Sequence, residues 1–196
     1  MAASVNNPPA DGRVILALGA NQPSRSGAPR TTLEAALARL ESVGVRVAAL
    51  SRWRRSPAFP PGAGPDFVNA AALLETGVSP EALLSLLHEV ERALGRERRR
   101  RWAPRVCDLD LIAHGDRIAP DAETLRALMA LGPKAGEVPA PDELILPHPR
   151  LHERAFVLAP LLDIAPDWRH PLTGRNVTEM LAALPAAARD EVEVIA

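Results

Sequence analysis

Residues 79–95 constrain the fold more than any other stretch. Ser79 suits a helix N-cap and Pro80 the first helical position. Leu83, Leu84, Leu86, Leu87, Val90 and Leu94 follow at helical spacing, and Gly95 supplies a stop. So apolar a stripe has to be buried against a partner surface. Residues 67–75 before it and 106–113 after it both read as strands. The same grammar occurs upstream. The apolar run 14–18 ends in the turn Gly19-Ala20-Asn21. Thr31 and Glu34 have the spacing of a capping box, Leu33, Ala36, Leu37 and Leu40 continue at helical period, and Gly44 ends the helix. Residues 45–50 read as another strand, and the Pro- and Gly-rich residues 56–65 as a loop.

The resulting order is β-α-β-β-α-β. It predicts an α+β, ferredoxin-like sandwich: a mainly antiparallel sheet with helices packed on one face, plus extra helices. Residues 120–141 read as an insertion with a helical middle at 123–131. A short strand at 144–146 and helices at 156–162 and 177–184 complete the chain. Residues 1–12 read as a disordered lead, and 13–196 as a single domain.

The chain has 196 residues, 47% hydrophobic and 24% charged, with a net charge of -1. That length holds one domain with a real core. The charge balance argues against bulk attraction to nucleic acid or membrane. A single cysteine, Cys107, excludes an intrachain disulfide. It fits a reducing compartment, and the expected location is the cytoplasm. No apolar run approaches the ~20 residues that span a bilayer.

The chemistry is concentrated in residues 101–112. On a strand, Asp108 and Asp110 share one face, ~7 Å apart, while Leu109 and Leu111 share the other and can enter the core. Two like charges beside apolar neighbours call for a cation between them. Mg²⁺ suits the place, because it binds one or two carboxylates and takes its remaining ligands from phosphates and water. Alone, an Asp-x-Asp pair is more often a solvated acidic pair on an edge strand. The arginines at 96, 98, 99, 100, 101 and 105 change that balance. Carboxylates for a metal beside forked guanidinium donors are what a polyphosphate site requires. Cys107 alternates with Asp108 and reads as a packed side chain. His114, His152 and His170 have no metal-ligand spacing.

The stretch from Arg101 to Ile112 resembles the signature of the dihydropterin pyrophosphokinases: a basic residue, x, Gly or Ala, Pro, Arg, two residues, Asp-Leu-Asp and two aliphatics. Other segments resemble that family in order. They are Leu18-Gly19-Ala20-Asn21, Ser56-Pro57, the run from Pro65 to Ala70, the run from Leu146 to Arg150, and the run from Arg154 to Leu161. Together they span about 13–180.

The resemblance implies transfer of pyrophosphate from ATP to the 6-hydroxymethyl group of 6-hydroxymethyl-7,8-dihydropterin, with AMP leaving, in folate synthesis. It implies that Asp108 and Asp110 hold two Mg²⁺ ions. Arg96, Arg105, His148 and Arg101 would contact the triphosphate, with Arg154 supporting the phosphate side and Leu111 lining the adenine site. Phe67 and Phe156 would sandwich the pterin and Asn69 would bond its edge, with Ser56 and Pro57 nearby. Trp102 would close over the site. A monomer with small-molecule partners only is expected. Phe67 stands where many members have Tyr, which keeps the stacking and loses a hydroxyl.

Two other classes compete. A different metal-dependent nucleotidyl or phosphoryl transferase would share the aspartates and arginines but lack convergence of Phe67, Asn69 and Phe156 opposite them. An RNA-binding module on a similar sheet would need exposed aromatics on central strands. The chain has three Trp, three Phe and no Tyr, and places acids there instead. The P-loop pattern is absent from the sequence, which disfavours a Walker-type NTPase.

Overall fold

The computed structural model describes residues 13–58, 62, 64–96, 105–131 and 144–195. Its elements are β1 (Val14–Ala20), α1 (Pro29–Ser42), β2 (Arg46–Leu50), β3 (Arg54–Ser56), β4 (Phe67–Glu75), α2 (Pro80–Ala93), β5 (Asp108–His114), α3 (Ala122–Ala130), a 3-10 turn (Leu151–Glu153), α4 (Ala155–Ile164), α5 (Val177–Ala182), α6 (Ala186–Asp190) and β6 (Glu193–Val194). The sheet has six strands in the order β5-β1-β4-β3-β6, with β2 also on β4. Every pairing among these strands is antiparallel. The α+β expectation holds.

β2 and β3 lie end to end along one edge of β4, opposite residues 72–75 and 67–69 respectively. Between them, Ser51 N donates to Ala71 O and Ser51 Oγ accepts from Ala71 N, each at 2.9 Å. The ladder of β4 is therefore satisfied through the break. β3 has no apolar signature and was not expected as a strand. Arg54 and Ser56 point inward as polar side chains, and Arg54 is buried by ion pairing rather than by hydrophobicity.

Strand alternation sorts the core into two layers. Val14, Leu16, Leu18, Ala70, Ala72, Leu74, Leu109 and Leu111 face α1 and α2. Ile15, Ala17, Ala71 and Ala113 face α4 and α5. The helices beyond the β-α-β-β-α-β frame thus cover the second face of the sheet, and β1, buried on both sides, reads as a continuous apolar run.

Two local readings are corrected. Thr31 does not cap α1: the helix starts at Pro29 after an Ala28 N-cap with no side-chain bond, because proline already suits the first position. The expected strand at 144–146 reduces to a bridge between Leu146 and Ala119. β6 carried no sequence signal. The helix in the insertion forms as α3, capped by Asp121, which accepts from Glu123 N at 2.8 Å and Thr124 N at 2.9 Å. Leu125 is fully buried, so α3 packs onto the body. The readings at residues 1–12, Arg101, Trp102 and 132–141 lie outside the described residues.

Candidate active site

Register assembles the site on the α4 side of the sheet. Gly19 of β1 sits opposite Asn69 on one flank and Asp108 on the other. One residue pair further along, Ala17 sits between Ala71 and Asp110. Strands lie about 4.8 Å apart, so Asn69 and Asp108 are separated by roughly 10 Å across β1. At the same end of the sheet, Ser56 pairs with Phe67 and Arg54 with Asn69. Asn69 is buried and its Nδ2 donates to Ser56 Oγ at 3.0 Å, which fixes the amide orientation.

A run of alternating charges occupies the β5 end. Arg105 and Arg96 both contact the Asp108 carboxylate, Arg96 at 2.6 Å. Arg96 also contacts Glu91, a buried acid on α2 whose Oε1 accepts from Leu109 N at 2.8 Å. Burial raises the Glu91 pKa, with Arg96 and the Leu109 N–H pulling the other way. For Arg105 burial alone lowers the pKa, but the carboxylates of Asp108 and Asp110 outweigh it and the net shift is upward.

The α4 side supplies the rest. His148 N donates to Ile112 O at 2.8 Å, which brings the histidine to β5. Arg154, at the start of α4, lies 3.6 Å from Asp110 and 3.5 Å from His148 Nε2, and its guanidinium sits 5.7 Å over the Phe156 ring. Burial, followed by the charge of Arg154, pushes the His148 pKa down to about 3, so the ring is neutral. Burial also lowers the Arg154 pKa, partly offset by Asp110.

Most sequence-derived site residues fall into two groups flanking β1: Ser56, Phe67 and Asn69 on the β3–β4 side, with exposed Pro57 beside Ser56, and Arg96, Arg105, Asp108, Asp110, His148, Arg154 and Phe156 at β5 and the start of α4. Leu111 does not join them. Strand alternation turns its side chain into the core under α1 and α2, where it is 5% exposed, so the expected adenine contact is not available to that side chain. Two residues were not singled out. Asn21 Oδ1 accepts from Arg105 N at 2.7 Å, while its Nδ2 donates to Pro65 O at 3.0 Å. It ties the segment before Phe67 to the segment before Asp108. Glu91 was legible, since it follows Leu83 and Leu87 at helical spacing and is thus an acid on the buried stripe.

Among the described residues, no group of three or more His, Cys, Asp or Glu side chains could hold a metal ion by itself. Asp108 and Asp110 alone still suit Mg²⁺, which commonly takes one or two carboxylates and completes its shell with substrate phosphates and water. An antiparallel α+β sheet bearing such a pair among guanidinium groups defines an enzyme of phosphoryl-group transfer.

The comparisons with known proteins make the class specific. Residues 15–166 match the family described as 7,8-dihydro-6-hydroxymethylpterin-pyrophosphokinase (HPPK). A protein of Methylorubrum extorquens is 35% identical over 92% of this chain and 99% of its own length. One of Pseudomonas aeruginosa is 37% identical over 88% and 92%, and one of Synechocystis is 35% identical over 89% and 77%. All three are named 2-amino-4-hydroxy-6-hydroxymethyldihydropteridine pyrophosphokinase. The crystal structure of wild-type Plasmodium falciparum HPPK-DHPS superposes with a TM-score of 0.61 at 14% identity, over 87% of this chain. The chain spans 40% of that longer protein, and the likeness bears on the fold alone. The chain belongs to the 7,8-dihydro-6-hydroxymethylpterin-pyrophosphokinase family.

Proposed function

We infer that the protein transfers the β,γ-pyrophosphoryl group of ATP to the 6-hydroxymethyl oxygen of 6-hydroxymethyl-7,8-dihydropterin, releasing AMP and the pterin diphosphate in folate biosynthesis. The observation that carries this reading beyond family membership is the register. It sets Asn69 abreast of Asp108 with only β1 between them, and brings the Phe67 ring next to Gly19 on the same face. A flat polar heterocycle is held well by aromatic faces and edge hydrogen bonds, so Phe67, Phe156 and Asn69 would take the pterin, beside Ser56 and Pro57. Asn69 and Phe67 across β1 from Asp108, with Phe156 tied to Asp110 through Arg154, favour this reading over a transferase lacking a pterin pocket.

Asp108 and Asp110 would hold two Mg²⁺ ions, which would supply neutralisation of the phosphate charge. Arg96 and Arg105 both contact Asp108. A guanidinium that gives up a carboxylate takes a phosphate with the same fork. The two arginines would therefore offset the charge at Asp108 and also serve the triphosphate. Arg154, with Asp110 on one side and Phe156 on the other, would fix the phosphate side relative to the pterin ring. Neutral His148 would offer a hydrogen bond without adding charge, Arg101 would contact the triphosphate, and Trp102 would close the site against water. The step is attack by the hydroxymethyl oxygen on the β-phosphorus with AMP departing, which asks for alignment and charge neutralisation more than covalent help. Its ATP supply supports a place in the cytoplasm. No helix among the described residues is long and apolar enough to cross a membrane.

The test is nucleotide product analysis with ATP, Mg²⁺ and 6-hydroxymethyl-7,8-dihydropterin, alongside Asp110→Ala. Acceptor-dependent AMP that is lost in the variant is expected. ADP in place of AMP would overturn the reading in favour of γ-phosphoryl transfer.

A further inference from the structure

Gly19 is the one residue of β1 that is not buried; Val14 to Leu18 and Ala20 all are. An interior glycine weakens a strand, because it packs no side chain and loses more freedom on folding. Nothing local explains it here. Its backbone is not in the left-handed region, which is reserved for glycines such as Gly44 and Gly95. A Cβ built at Gly19 would meet only Asn69 Oδ1 at 3.4 Å and Phe67 Cδ1 at 3.8 Å, both side-chain atoms at ordinary contact distance. The pairings of β1 with β4 and β5 run through Gly19 on both flanks, so an alanine would keep them. Neither the conformation nor the packing of the protein itself calls for glycine. What the residue supplies is empty space, open to solvent, above the middle strand.

That space has a definite position. It lies on the line from Asn69 to Asp108, between the amide that faces the pterin pocket and the carboxylate at the phosphate end. We propose that Gly19 is a positioning residue: its missing side chain forms the floor of the lane through which the acceptor's hydroxymethyl arm crosses β1 to reach the phosphate. The proposal rests on the reading of the site given above. The ring is held on one side of β1 and the phosphates on the other, so the arm has to pass directly over this residue. A methyl group there lifts the reacting oxygen out of line, and a misplacement of about 1 Å can cost on the order of 10²-fold in rate.

The experiment compares wild type with Gly19→Ala and Gly19→Val. Three quantities are measured: thermal stability, kcat/KM for 6-hydroxymethyl-7,8-dihydropterin, and the Kd of a pterin lacking the 6-substituent. Melting temperatures equal to or above wild type are expected, since both replacements suit a strand better than glycine. Turnover should fall on the order of 10²-fold for alanine and further for valine. Binding of the armless pterin to Gly19→Ala should stay near wild type. A purely structural role would instead lower the melting temperature and weaken both ligands together, and either result overturns the proposal. Wild-type turnover by Gly19→Ala also overturns it, leaving the function intact. A wild-type enzyme that makes no AMP from this acceptor removes the reading of the site and the proposal with it.

Discussion

Asp163→Ala should unfold more easily by a large and calculable margin. Asp163 lies on α4 and accepts from Arg54 Nη1 at 2.6 Å and Nη2 at 3.1 Å, and from Arg52 Nη2 at 2.8 Å and Arg52 N at 3.1 Å. The side chains of Arg54 and Asp163 are 7% and 15% exposed. Removing one partner of a buried pair leaves the other charge without compensation, at a cost of about 3–5 kcal/mol. Residual solvent at Asp163 places this case near the lower end. A loss of ~3 kcal/mol lowers Tm by roughly 6–12 °C in a domain of this size. Adding Arg54→Met should recover part of the loss, since no charge then stays buried. Arg52→Ala breaks a contact to the same carboxylate, but at a 65% exposed side chain, and should leave Tm nearly unchanged.

The pH dependence is a second check on the same pair. Burial alone would raise the Asp163 pKa. The hydrogen bonds from Arg54 and Arg52 outweigh it and hold the acid well below the usual carboxylate range. A folded-state pKa that is depressed stabilises the protein above the unfolded value of about 3.9, and the gain is lost as pH falls through the folded value. The difference between wild type and Asp163→Ala in urea melts should therefore be constant from neutral pH down to about 5 and shrink below about 4. A difference under ~1 kcal/mol at neutral pH, as for a solvent-screened pair, or one that grows on acidification, would refute the reasoning.

Asn21→Asp keeps an acceptor for Arg105 N and removes the donor to Pro65 O, so steady-state kinetics should show KM for the pterin rising more than KM for ATP; equal changes would count against separate roles for the two bonds. Burial, with Glu91 and Asp108 nearby, pushes the Cys107 thiol up to about 12. The native protein should therefore resist a thiol-specific chromogenic disulfide at pH 8, and the denatured chain should react at its single cysteine. Reaction of the native protein at the rate of a free thiol would contradict this burial.

The parts of the site that depend on neighbours along the chain were readable without coordinates. The alternation of Asp108, Leu109, Asp110 and Leu111 states which side chains share a face, and the helix after Ser79 states which stripe is buried. Leu111 shows the stronger of two arguments: alternation assigned it to the core, and family likeness assigned it to the nucleotide. The core reading held. Register was not readable, because the placement of Asn69, Gly19 and Asp108 abreast depends on pairings between segments far apart in sequence. β3 escaped notice because its inward residue is an arginine whose partner lies 109 positions away. Thr31 misled for a local reason: a threonine three residues before a glutamate resembles a cap, but Pro29 had already started the helix.

The outer edge of β5 carries a further consequence. A strand at the margin of a sheet exposes peptide groups that can recruit another chain. Here Glu91 takes the Leu109 N–H, and the His148 N–H takes the Ile112 carbonyl. The elements that seal this margin are the same ones that shape the proposed phosphate end of the site. Catalytic fitness and resistance to self-association are thus borne by shared positions, and a substitution at Glu91 has to be judged by the solubility of the protein as well as by its turnover.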